Sequence, residues 1–310
     1  MSQSNWVDLI YLYGEDHKKT MRAKISEIAN MRGREVSYKD FEQFDIMHPG
    51  GHKGLDLLKR SRDLPSGLRV FDVGCGIGGS CRYLSIEYGW NVHGVDYLSH
   101  FVEIGTEINS LLKLEDNIEL YQGDIRSYQA PEEAFDLAIT IGVFIIVEGI
   151  EGFRTIFNSL KPEGIYYFED YYLLKEKEDY TQEERKLIEE FAFPGIRSKN
   201  QMIANLQSVG FVVEEFNEYS REWSEFAWNR SEGILRDYYD ESKPNPGEML
   251  LNNYGRHAPQ ILRNMKHFTP EQLLANYPLT CAEINGVELV HRTPEIIGVG
   301  RLIAKKPDNQ

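Results

Sequence analysis

The segment VFDVGCGIGGS, residues 70–80, is an apolar run that breaks into a glycine-rich turn. Gly74, Gly76 and Gly79 satisfy G-x-G-x-x-G, the spacing that holds a dinucleotide pyrophosphate. Asp72 with Gly74, Gly76 and Gly78 satisfies a second pattern, D-x-G-x-G-x-G. In both, glycines between a strand and a helix let backbone approach a ligand that a Cβ would block. The acidic residues separate the two readings. A carboxylate at Asp72 repels a pyrophosphate but suits a zwitterionic amino-acid moiety beside a sulfonium. About twenty residues further on, VHGVDYL ends at Asp96, placed to accept hydrogen bonds from ribose hydroxyls. Asp124, in LYQGDIRSY, follows the next strand and can accept from an adenine amino group. Three carboxylates at the carboxyl edge of three adjacent strands make one crevice; taken singly, each could be no more than a strand-end cap.

These groups need a scaffold of alternating strands and helices, and the chain from residue 68 reads that way. Short apolar runs predict strands at 68–73, 91–96, 118–121, 135–141 and 164–169, with helices near 79–88, 99–113 and 149–160. That alternation implies an α/β fold, a doubly wound and mostly parallel sheet covered on both faces. TQEERKLIEEFAF and SKNQMIANLQSVG read as two more helices, FVVEEFNEY as a sixth strand and EIIGVGRLIAKK as a seventh. Before this core, DHKKTMRAKISEIANMRG places Met21, Ile25 and Ile28 at helical spacing. The expected organisation is a helical cap over 1–62, a cofactor-binding core over 63–220, an insertion over 221–293 and a last strand with tail over 294–310.

Composition narrows the function classes. The 310 residues carry 34 basic and 49 acidic side chains, a net charge of -15. Nucleic-acid and anionic-membrane binding call for a basic face, so neither is expected; a small neutral or cationic ligand suits this field better. Mean hydropathy is -0.45 and no long uncharged apolar run occurs, so no spanning helix is expected. Three scattered cysteines, Cys75, Cys81 and Cys281, give neither a disulfide framework nor a zinc site. A cytoplasmic location, no metal, and a monomer or homodimer are the corresponding expectations.

FDVGCGIGG, GVD and GDI, in this order, resemble the class I S-adenosylmethionine-dependent methyltransferases over roughly residues 41–210 and again at the last strand. The resemblance implies S-adenosylmethionine as cofactor and a seven-stranded Rossmann-like sheet with its last strand antiparallel. It also implies a cofactor set of Asp72, Gly74, Cys75, Gly76, Asp96, Tyr97, Asp124, Ile125 and Ile141. Within that family, MHPGGHKGLDLL and FEDYY look like the small-molecule enzymes of the phosphoethanolamine and glycine/sarcosine type. In these, the end of the fifth strand, here Asp170 and Tyr171, faces the substrate. The phosphoethanolamine enzymes use a tyrosine before the glycine pair and a histidine after the fourth strand. Here the first position is Ile46, and TIGVFIIVEG offers Ile145 and Ile146 with no histidine.

Methyl transfer is an in-line displacement, so the protein mainly aligns a lone pair with the methyl group and removes water. An alkyl amine, with a pKa of about 10, must lose its proton first; a thioether need not. A small polar metabolite methylated on an amine nitrogen is therefore the first reading, and sulfur methylation of a thioether or thiol such as methionine the alternative. Candidate catalytic groups are His48, Asp170 and Tyr171. Candidate acceptor ligands are His52, Arg197, Tyr172 and Trp223, with Tyr11, Tyr13 and Trp228 as further aromatic faces for a methylated cation. Because neighbours on a strand face opposite ways, only one of Tyr171 and Tyr172 can line the pocket. Arg197 could hold a carboxylate bidentately or be a charge at a helix start. Two other classes stay open on the loop alone: a nicotinamide-dependent oxidoreductase and a cofactor-binding subunit without catalysis.

Overall fold

A computed structural model describes residues 15–30, 35–41, 51–190, 194–220 and 296–308. The chain divides into two compact units, one of residues 1–30 with 220–294, the other of 31–219 with 295–310. In the first unit the described element is helix α1, Glu15–Ala29, which buries Met21, Ile25 and Ile28 along one stripe as their spacing predicts.

The second unit is an α/β sandwich. Helix α2, Lys53–Ser61, leads into strand β1, Arg69–Val73, where four of five residues are buried. Then follow α3 (Gly79–Tyr88), β2 (Asn91–Asp96), α4 (Ser99–Leu111), β3 (Ile118–Gln122), β4 (Phe135–Ile141) and α5 (Glu151–Ser159). Strand β5 (Leu160–Leu173), helices α6 (Gln182–Glu190) and α7 (Lys199–Ser208), and strands β6 (Val212–Glu218) and β7 (Ile297–Lys305) complete it. The sheet order is β3-β2-β1-β4-β5-β7-β6, with β7 antiparallel to both of its neighbours. This is the expected doubly wound, seven-stranded, mostly parallel Rossmann-like sheet, with an inserted segment before the last strand.

Each sheet face has its own core. On one, Phe71, Phe135, Ala138, Tyr166, Phe168 and Leu302 pack with Phe153 and Ile156 of α5 and Met202 and Leu206 of α7. On the other, Val70, Leu137, Ile139, Tyr167 and Ile303 pack with Leu55 and Leu58 of α2 and Cys81 and Leu84 of α3. Helix α2 belongs to this second core, where its Leu55 and Leu58 are buried. The hydroxyls of Tyr83 and Tyr88 on α3 both donate to Asp56 and fasten α2 there. Strand β5 runs four residues past its expected end at 169, because β7 pairs with it as far as Leu173–Ile297.

Candidate functional site

The glycine loop begins where β1 stops. The N–H groups of Gly74 and Cys75 both donate to the Val95 carbonyl, at 2.8 and 3.1 Å, folding the loop across the end of β2. Gly74 has φ of +72°, and a Cβ there would lie 2.3 Å from Val143 Cγ2, so glycine is required on two counts. The Asp96 carboxylate then fixes the loop: Oδ2 accepts from Gly76 N at 2.9 Å and Oδ1 from Leu98 N at 2.9 Å. One N–H per oxygen leaves each oxygen with a further lone pair for a ligand hydroxyl.

Asp72 is buried and accepts a hydrogen bond from Cys81 Sγ at 3.1 Å. Burial pushes its carboxyl up to about 7, with the Asp96 charge adding to the effect against the thiol hydrogen bond. Burial also raises Asp96, against the two backbone N–H groups that hold it. Among the described residues no cation is ion-paired with either acid, so the enclosure favours a ligand that brings positive charge and hydroxyls. A pyrophosphate would add charge of the wrong sign.

Asp124, two residues beyond β3, is forked by Arg126: Nε reaches Oδ1 at 2.9 Å and Oδ2 at 3.1 Å, and Nη2 reaches Oδ2 at 2.6 Å. That pairing holds its pKa below the usual carboxylate value. An adenine amino group would share this carboxylate with Arg126, a competition absent from the sequence reading. Tyr97 is exposed, Cys75 and Ile125 are buried, and Ile141 ends β4 half-buried against the Val70–Ile139 core.

The acceptor candidates fare differently. Alternation along FEDYY sends Glu169 and Tyr171 to the sheet face of Asp72, and Asp170 and Tyr172 to the opposite face. Asp170 is buried there; its Oδ2 accepts from Ile145 N at 3.0 Å and its Oδ1 from Tyr171 N at 2.8 Å. It caps the loop after β4. Burial pushes it up to about 7. Tyr172 is likewise core, packed edge-on against Phe216 at 5.2 Å. Arg197 also changes role. Its Nη1 donates to the carbonyls of Phe144 and Gly195, and its Nη2 to those of Val147 and Gly149. A guanidinium so occupied is a clamp on the 144–149 loop; it does not offer a fork to a substrate carboxylate.

His52 stacks on Tyr83 with ring centroids 3.7 Å apart, and burial lowers its pKa to about 4, against the charges of Asp56 and Glu87. It is neutral at physiological pH and a weak base. His48, Trp223, Tyr11, Tyr13 and Trp228 lie outside the described residues. Sequence reasoning missed two groups on the Asp72 face: Glu169, which accepts from the Tyr167 hydroxyl, and Arg301 on β7. The signal for Arg301 was present, since it is the one charged residue between Ile297 and Ala304, in a run that must be buried. Among the described residues there is no cluster of three metal-ligating side chains, and no helix long and apolar enough to cross a membrane.

Residues 70–164 match a family described as a methyltransferase domain. The chain is 27% identical over 167 residues to a sterol 24-C-methyltransferase of Yarrowia lipolytica, covering 52% of this chain and 44% of that relative. To the phosphoethanolamine N-methyltransferase of Plasmodium falciparum it is 25% identical over 198 residues, covering 63% and 70%. The chain thus spans less than half of the sterol enzyme. Among solved structures, phosphoethanolamine N-methyltransferase 2 of Haemonchus contortus, in complex with phosphomonomethylethanolamine and S-adenosylhomocysteine, superposes with a TM-score of 0.64. That match has 18% identity and covers 88% of this chain and 58% of that one, a likeness of fold.

Proposed function

From the premise that residues 70–164 form a class I S-adenosylmethionine-dependent methyltransferase domain, we propose that the chain methylates a heteroatom of a small polar metabolite, with an amine nitrogen as the first choice. The observation that carries this reading is the pair of acids, Asp72 buried and Asp96 half-buried, beside a loop that glycine keeps open to backbone approach. Bound S-adenosylmethionine supplies an electrophilic methyl group on a sulfonium. Asp72, ionised by a neighbouring ammonium, would hold the amino-acid end of the cofactor. Asp96 would accept from the ribose hydroxyls, and Asp124 with Arg126 would border the base. Gly74, Cys75, Gly76, Tyr97, Ile125 and Ile141 would line the same crevice. The amine-acceptor choice draws on the phosphoethanolamine enzymes among its relatives, and the net charge of -15 favours a small ligand over nucleic acid.

The residues give the reaction little acid–base help. Val143, Phe144, Ile145 and Ile146 stand after β4, and His52 titrates near 4. The protein would act by alignment and exclusion of water, with an amine proton leaving to solvent before attack. The same apolar wall supports the second reading, sulfur methylation, because a thioether needs no base. Incubating the protein with methyl-labelled S-adenosylmethionine and a metabolite extract, then identifying the labelled product by mass spectrometry, tests both. A labelled amine supports the first reading, a sulfonium product the second, and no labelled product under any condition defeats both.

A further inference from the structure

Strand register carries the crevice sideways along one row of the sheet. Asp72 pairs with Gly94 on β2 and Ile139 on β4, so Asp96 and Ile141 each stand two residues further toward the carboxyl edge, on the same face. Ile141 pairs with Glu169 on β5, and Glu169 with Arg301 on β7. At about 4.8 Å per strand, Glu169 lies roughly 10 Å and Arg301 roughly 14 Å across from β1. That span matches a small acceptor placed beside the cofactor.

Arg301 is the unusual member of this row. Its Nε and Nη1 are shut away from solvent and have no hydrogen-bond partner. Among the described residues no carboxylate reaches ion-pair distance, and its guanidinium lies over the Tyr219 ring, 5.0 Å from the centroid. Buried guanidinium donors left unanswered are costly, and folded proteins rarely keep them without a partner that arrives later. Glu169 is only 2% exposed and is held by the Tyr167 hydroxyl. Glycine at 54 lets α2 lie directly on that pair, since a Cβ there would be 2.0 Å from Tyr167 Oη.

We infer that Arg301 is the anion-binding group of the acceptor site, pairing a carboxylate or phosphate of the acceptor, with Glu169 beside it orienting the acceptor's polar or cationic end. This rests on the methyltransferase reading for the word acceptor; the anion site itself does not. It moves that role from Arg197, whose donors are occupied, to the last strand.

The test titrates sodium acetate and inorganic phosphate separately into wild-type protein, Arg301→Gln and Arg301→Lys, followed by thermal shift and calorimetry, with S-adenosylhomocysteine binding measured in parallel. Wild type is expected to bind at least one anion, the tighter one naming the acceptor's group. Arg301→Gln should weaken that binding at least tenfold, Arg301→Lys should fall between, and all three proteins should bind S-adenosylhomocysteine within twofold. With no anion present, Arg301→Gln should melt no lower than wild type, because the loss of the Tyr219 ring contact is offset by removal of two unanswered donors. Undiminished anion binding in Arg301→Gln, no anion binding by wild type, or a variant that melts several degrees lower without anion would each overturn the inference. Failure of wild type to bind S-adenosylhomocysteine would instead count against the methyltransferase reading and leave the anion result to stand alone.

Discussion

In the proposed site, Asp72 would link cofactor binding to pH through its burial. Its carboxyl is buried and titrates near 7, so a proton must leave before it can pair with an ammonium. A group with that pKa is roughly 9% ionised at pH 6 and roughly 91% at pH 8, so affinity should rise about tenfold between them, or ~1.4 kcal/mol. The sign is fixed by the raised value: binding strengthens as pH rises through 7 and then levels off, and at pH 6 about 0.9 proton is released per ligand bound. The same shift acts on the free protein in the opposite direction. A raised acid contributes stability below its unfolded value near 3.8, and that contribution is lost as pH rises through 7. Asp72→Asn should therefore stabilise the free protein at pH 8 by on the order of 2–4 kcal/mol while weakening cofactor binding. Calorimetry with S-adenosylhomocysteine in two buffers of different ionisation enthalpy, for wild type and Asp72→Asn, reads affinity and proton count together. The ligand's own α-amino group, titrating at roughly 7.7–8.0, cancels in the comparison. A variant that keeps both the wild-type affinity and its pH slope would refute the placement of the ammonium.

Three further outcomes follow from single contacts. Asp170→Ala leaves the backbone N–H groups of Ile145 and Tyr171 without their acceptor, and should cost on the order of 3 kcal/mol in urea denaturation. Hydrogen exchange should show the gain in rate concentrated in residues 142–149. Gly54→Ala forces a methyl group against the Tyr167–Glu169 pair and should lower stability by about 1–3 kcal/mol, measured by thermal melting; an unchanged melting point would mean that α2 sits elsewhere. His52→Phe keeps the stack on Tyr83 and should leave the pH profile of turnover unchanged between pH 6 and 9, because His52 is already neutral there. An acidic limb present in wild type and lost in the variant would make His52 a base.

The parts of the fold set by local pattern were readable in advance. Strand 135–141 and helix 79–88 fall at the residues their apolar spacing predicts, and the glycine loop follows from its own residues. Features set by distant partners were not. The end of β5 depends on β7, more than a hundred residues away, whose pairing carries the strand through Asp170 and on to Leu173. Period-two alternation separates Glu169 and Tyr171 from Asp170 and Tyr172, but the choice of face needs the register against β4. Arg197 satisfies itself on carbonyls about fifty residues upstream, a set of partners with no side-chain signature. Asp124 was placed at the right strand edge, yet Arg126, two residues on, engages it first.

The seating of β7 between β5 and the edge strand β6 has a consequence for biosynthesis. Within the sheet β6 pairs with β7 alone, and β7 is made after roughly eighty further residues have been added. At roughly 5–20 residues per second this leaves β6 waiting about 4–16 s on the ribosome without a strand to join. Through that interval the outer edge of β5 also lies uncovered, an invitation to pairing between nascent chains. Assembly of this sheet thus finishes one strand in from its edge, and a strand destined for the rim is held in place by one made after it.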